Sequence, residues 1–122
     1  METTADIEKH FINPDLLRQF IEQLQKDFYF SEPVQSLDIH SLKPEEVFPM
    51  VCKEVRRLMD KDFGALQNTL YKIDISEQQL KKEFEKPGQE GDEAEVLAQL
   101  IMKRELQKIV YRNYFKTKPH ED

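Results

Sequence analysis

The chain has a single cysteine and only three glycines, and none of its apolar runs approaches the roughly 18 residues that a membrane-spanning helix requires. A lone cysteine forms no intramolecular disulfide. Cys52 falls on an apolar helical face beside Val51 and Val55, the place of a small buried hydrophobe rather than of a reactive thiol. So few glycines argue against a sheet-rich fold with many tight turns. Residues Met1 to His10 carry acids where a secretory leader would have a basic start and an apolar centre, which predicts a cytoplasmic protein with no membrane segment.

The means for catalysis are equally scarce. His10, His40 and His120 are widely separated in the chain, and none belongs to an H-x-x-x-H or E-x-x-H pair, the patterns of helical metal ligands. There is no glycine-rich phosphate loop and no nucleophile motif. The many Asp and Glu residues are accounted for by solvated helix faces. The expectation is a non-enzymatic protein with no catalytic residues, no metal and no cofactor.

What the chain has in excess is charge: 34% of its 122 residues are charged, against a norm of about 25%. Long solvated helical faces suit that composition, and the length suits one domain over 1–122 that buries roughly two-thirds of its unfolded surface, with 1–12 and 117–122 frayed. The expected fold is an all-α bundle of four to five helices with a long C-terminal helix.

Local signals place the helices. Asn13 as N-cap, Pro14 at the first helical position and Asp15 at the positive end start a helix, and Leu16, Leu17, Phe20, Ile21, Leu24 and Phe28 carry its apolar stripe to an end near Phe28. Tyr29 to Lys43 has no helical period; a loop of that length either packs down through Phe30, Val34, Leu37 and Ile39 or contains a helical turn. Pro44, Glu45 and Glu46 open a short turn. Pro49 then interrupts it, so the main helix is predicted from Pro49 to Asp62, with Val47, Phe48, Val51, Cys52, Val55, Leu58, Met59 and Phe63 along one side. Gly64 reads as a C-terminal cap, and Leu66, Leu70 and Ile73 continue as a new helix or a kinked extension. Ser76 and Gln79 form a capping box, with Ile75 and Leu80 as its hydrophobic staple, so a helix is predicted over Glu77 to Lys86. Pro87 and Gly88 end it, and the acidic residues up to Asp92 form a hinge into the last helix.

That last helix, Glu93 to Phe115, lies in the longest run free of Pro and Gly. On a wheel its apolar residues divide: Leu97, Leu100 and Ile101 share one side, and Met102, Leu106, Ile109 and Val110 share a side roughly opposite. Such two-sided patterning predicts either a central helix or one with different neighbours at its two ends. Met102, Leu106, Ile109 and Val110 are the candidate partner-binding surface.

Charge is segregated onto the same helix. Lys103 to Pro119 holds six basic residues against one acid, Glu105, a net of +5, whereas residues 1–102 hold twelve basic and twenty-one acidic residues, a net of −9. Arg104, Lys108, Arg112 and Lys116 follow at i, i+4 spacing as a basic stripe beside Tyr111, Tyr114 and Phe115. Functionally, such a stripe lies along a nucleic-acid backbone or an acidic partner. Structurally, cations near a helix C-terminus are favoured by its dipole, and the acidic remainder of the chain supplies their counter-charges. Residues 65–86 also have the outline of a DNA-binding helix-turn-helix. They depart from it at Leu70, where a small residue is usual, at Asp74, where Gly is usual, and at Glu83, where an apolar residue is usual.

The sequence therefore predicts an interaction module that presents apolar helix faces to a protein partner or to a second copy of itself. The alternative is a regulator that binds nucleic acid through the basic stripe or the helix-turn-helix.

Overall fold

A computed structural model of the chain describes residues 4–28, 41–86 and 92–117, with only the backbone at 4, 5, 116 and 117. Phe30, Val34, Leu37, Ile39, His40 and His120 lie outside the described residues, as does the hinge from Pro87 to residue 91. The described residues form six helices and no strand: α1 (Thr4–His10), α2 (Pro14–Asp27), α3 (Pro44–Lys61), α4 (Phe63–Ile73), α5 (Glu77–Phe84) and α6 (Glu93–Thr117). The all-α class and the long C-terminal helix are as expected. One helix more is present than the upper count, because residues expected to fray form α1. Its Ile7, with Phe11 just beyond it, is buried, and the Phe11 and Phe20 rings meet at 4.7 Å.

The caps explain most boundaries. The Asn13 side chain accepts from the N–H groups of Asp15 and Leu16, at 3.0 and 3.4 Å, and Pro14 takes the first helical position of α2. In α5, Ser76 Oγ accepts from the Gln79 N–H at 3.1 Å while Gln79 Oε1 accepts from the Ser76 N–H at 2.9 Å, the reciprocal box read from the sequence. Asp92 caps α6 by accepting from the Glu95 N–H at 3.0 Å, and it also holds Arg56 of α3 at 3.0 Å.

Two expected boundaries are corrected. The helix expected from Pro49 begins at Pro44 and runs through Pro49 without a break. So close to the N-terminus the proline removes a single ladder bond, to the Glu45 carbonyl, on an exposed side of the helix, while Val47 and Val51 fix the flanking turns in the core. Gly64 is not a cap. The break falls at Asp62, whose N–H closes α3 on the Leu58 carbonyl and whose side chain opens α4 by accepting from Ala65 at 3.0 Å.

The turn between α4 and α5 is built around Asp74, the only non-glycine residue with positive φ among those described, at φ 69° and ψ 47°. The Ile75 N–H reaches the Leu70 carbonyl at 2.9 Å and the Asp74 N–H the Tyr71 carbonyl at 3.1 Å, a Schellman closure completed by burial of Leu70 and Ile75. Glycine thus stands in a helix at 64 while aspartate stands in the left-handed position at 74. Asp74→Gly and Gly64→Ala are each expected to raise the unfolding free energy by about 0.5 to 1 kcal/mol. A Cβ at 64 would meet only Asp62 Oδ1, at 3.6 Å, and the ion pair lost with Asp74 is solvent-exposed. Urea denaturation of the two variants checks this, and a loss of stability at 74 would show that its link to Arg104 outweighs the backbone strain.

All five other helices pack against α6: α3 and α2 most extensively, then α1, α4 and α5. Leu97, Ile101, Met102, Leu106 and Ile109 are all buried, as are Ala94, Ala98 and Glu105. At about 100° per residue, Ala94, Ala98 and Glu105 lie between the two apolar sides seen on the wheel. The two sides are the edges of one broad buried face. Two alanines and a glutamate occupy much of its midline.

Candidate interaction surface

Of the four residues expected to form an apolar partner surface, Met102, Leu106 and Ile109 lie in the core, at 0, 2 and 0% exposure. Only Val110 is exposed, at 43%. Tyr111, Tyr114 and Phe115 join it, 68, 56 and 50% exposed, all on the last turns of α6 beyond the embedded part of the helix. The rings hold one another: Tyr111 and Phe115 at 4.6 Å between centroids, Tyr114 and Phe115 edge to face at 5.3 Å. The exposed large apolar groups of α6 are thus a different set, of which only Val110 was expected.

The basic stripe is tied to its own chain along most of its length. Arg104 pairs with Asp74 at 3.3 Å. Lys108 Nζ donates to Asp27 Oδ2 at 3.1 Å and to the Lys72 carbonyl at 3.2 Å, where it neutralises the C-terminal end of α4. Arg112 donates to Gln23 Oε1 at 2.6 Å. The Lys116 side chain lies outside the described residues. These cations clasp α6 to α2 and to the turn after α4, the counter-charge role that the acidic body suggested.

Beneath the clasp lies a pair of carboxyls that sequence reading missed. Glu105 is fully buried and Asp27 is 8% exposed. As a carboxylate Glu105 would have no donor to either oxygen. Burial, with Asp27 beside it, pushes its carboxyl up to about 9, so at neutral pH it holds a proton and donates it to Asp27. Burial also opposes the charge on Asp27, but hydrogen bonds from Gln23, Glu105 and Lys108 outweigh it and hold Asp27 below the usual carboxylate range. The Gln23 bond, from Nε2, is 2.7 Å long. A signal was present: Glu105 keeps the i, i+3, i+4 register of Ala98, Ile101, Met102 and Ile109, and a solvated acid would leave it.

Two open depressions flank the clasp. One, against the end of α6, is lined by Gln23, Arg104, Gln107, Lys108, Tyr111 and Phe115 among others; the second, between α5 and α6, by Ile75, Lys82, Glu83, Leu100, Lys103 and Arg104 among others. Arg104 and Gln107 line both, so the two depressions adjoin along α6. Neither Asp27 nor Glu105 is on its wall. No family model, curated protein or solved structure matches the chain.

The arrangement offers little reactive chemistry. Cys52 is buried, and burial pushes its thiol up to about 11, so it is protonated at neutral pH. Among the described residues no three His, Cys, Asp or Glu side chains converge as metal ligands would, and no helix is long and apolar enough to cross a membrane. In the outline of a helix-turn-helix, α5 packs more on α6 than on α4.

Proposed function

We propose that the chain is a non-enzymatic helical interaction module, cytoplasmic in location, which takes a protein partner on the C-terminal end of α6. The observation that carries this reading is the cluster of Val110, Tyr111, Tyr114 and Phe115, four large apolar side chains exposed together on a helix otherwise embedded in the core. Tyrosine and arginine are the residues that dominate binding energy at protein interfaces, and here Arg112 stands among the rings. The carboxyl pair resembles catalytic acids in its divergent titration, but a wholly buried Glu105 has no access to a substrate. A nucleic-acid regulator is the competing reading. It draws on the basic stripe, and it leaves the exposed Val110 beside that stripe without a role.

A photo-reactive amino acid placed at Tyr111 is expected to give a discrete covalent adduct with one protein in cells, and the same group at exposed Gln67 on α4 to give none. Adducts to nucleic acid at position 111 would move the function to the competing reading, and equal labelling at both positions would remove the basis for a defined face. Tyr111→Ala with Phe115→Ala is expected to abolish the specific adduct from a reactive group at Tyr114 while leaving the unfolding free energy within about 0.5 kcal/mol per substitution, because both rings are surface groups.

A further inference from the structure

Taking the end of α6 as a docking face, the charge around it selects what docks there. The two depressions that meet at Arg104 and Gln107 follow one side of α6, on which Leu100, Arg104, Gln107, Tyr111 and Phe115 succeed one another at steps of three and four. From Leu100 to Phe115 this stripe is about 22 Å long, at 1.5 Å per residue, the length of roughly four helical turns. Its floor is apolar at both ends, through Ile75 and Leu100 in the groove against α5 and through the clustered rings at the tip. Its borders are basic: Lys82, Lys86 and Lys103 beside the groove, Lys108 and Arg112 beside the rings. Glu83 is the single acid on the described walls, and Lys86 holds it at 2.9 Å.

The internal clasp does not exhaust these cations. Among the described residues Lys82 and Lys103 have no ion-pair partner. Arg104 meets an Asp74 that is itself 83% exposed, a weak contact, and Arg112 uses one nitrogen on the neutral Gln23. Each guanidinium has five donors in a planar fork, so both keep the geometry for a carboxylate. A second copy docking by the same face would set one basic border against another, a like-charge juxtaposition that disfavours it. A nucleic-acid strand would meet cations but leave the apolar floor at Ile75, Leu100 and Val110 unmatched.

We infer that this surface receives an acidic amphipathic helix of about four turns from a different protein, its apolar residues on the floor and its carboxylates against Lys82, Lys103, Arg104 and Arg112. The inference rests on the docking reading of the preceding section and narrows it to a class of partner.

A display library tests it. Sixteen-residue helices carry Leu, Phe or Ile at i, i+3, i+4, i+7 and i+11, with a free choice of Glu, Lys or Gln at every other position, and are selected against the full chain. Recovered helices are expected to carry Glu over Lys by at least about tenfold at positions flanking the apolar stripe, a bias corresponding to roughly 1.4 kcal/mol. They are also expected to be lost from a Tyr111→Ala, Phe115→Ala target, and to shift toward Lys on a Lys82→Glu, Lys103→Glu target. Recovered helices with no charge bias would overturn the acidic partner and leave docking intact. Failure to recover any helix above the ring-deleted target would overturn both. Glu-rich helices that bind the ring-deleted target equally, or that are displaced by single-stranded DNA or RNA at lower concentration than by free peptide, would show general charge attraction and overturn the proposal.

Discussion

Replacing Glu105 with glutamine is expected to make the protein more stable at pH 7, by roughly 2 to 3 kcal/mol, and to leave it nearly unchanged at pH 4. The folded state keeps a proton on Glu105 up to about 9, whereas an unfolded chain gives it up near 4.5. Between those values folding must take up a proton, so the contribution of Glu105 is fully present below about 4.5 and declines as pH rises, by about 1.4 kcal/mol per pH unit. Glutamine donates from its amide to Asp27 without that uptake. Asp27 works in the opposite sense: its folded value lies below 3.8, so its contribution is present above that pH and is lost as pH falls through the depressed value. The two windows overlap only in mild acid, which places the greatest contribution of the pair near pH 4 to 5. Urea unfolding of both proteins from pH 4 to 9 checks this, since all other groups cancel in the difference. Curves that run parallel would mean that Glu105 is ionised, and therefore solvated, in the folded protein.

The position of this pair also explains what the sequence does and does not reveal. Helix starts are legible wherever a side chain supplies the missing hydrogen bond locally, as Asn13 and Ser76 do. Asp62 caps just as effectively but sits between two helical runs that share a period, whereas the start at Glu93 is legible from the break at Pro87 and Gly88 even though its cap, Asp92, reads as part of the hinge. The centre of α6 is illegible for a different reason. Its buried midline is Ala94, Ala98 and Glu105, and a hydropathy reading counts the alanines as weak and the glutamate as solvent-facing. One face about 180° wide therefore reads as two narrow ones. The candidate surface was misplaced by the same error. Met102, Leu106 and Ile109 look like a second, free stripe until the groups between the stripes are known to be buried.

The cations follow from the acids. With Glu105 neutral, Asp27 carries the charge of the buried pair, and Lys108 reaches in from the stripe to meet it. Removing that lysine would leave a nearly buried carboxylate with one strong donor fewer, and unpaired buried charge is among the costlier defects a core can carry. Arg112 extends the contact by fixing the Gln23 amide, which in turn donates to Asp27. The stripe thus carries α6 past the edge of the bundle at a defined angle. The rings share their turns with Arg112, so the clasp restrains the proposed docking face and would lower the entropy that docking costs.

Met102→Ala and Val110→Ala separate the two roles that the sequence merged. Met102 is wholly buried and α6 touches every other described helix, so truncation leaves a cavity at the centre of the bundle with little freedom to collapse. A loss of about 2 to 5 kcal/mol is expected. Against the roughly 5 to 15 kcal/mol that holds a domain together, a loss of that size unfolds a substantial fraction of the protein on modest heating. Val110 is 43% exposed, and its truncation is expected to change stability by less than about 0.5 kcal/mol while weakening partner adducts formed at Tyr111. Thermal and urea unfolding give the first comparison and photo-adduct yield the second. The Met102 variant is expected to lose adduct only in proportion to its unfolded fraction, so yield per folded molecule returns to the wild-type value at low temperature. If instead Met102→Ala leaves stability intact and lowers adduct yield at every temperature, then Met102 faces the partner and the interface extends along α6 beneath its present cover. An unchanged stability would require the bundle to open at that point, because no other placement of a central methionine makes its side chain dispensable.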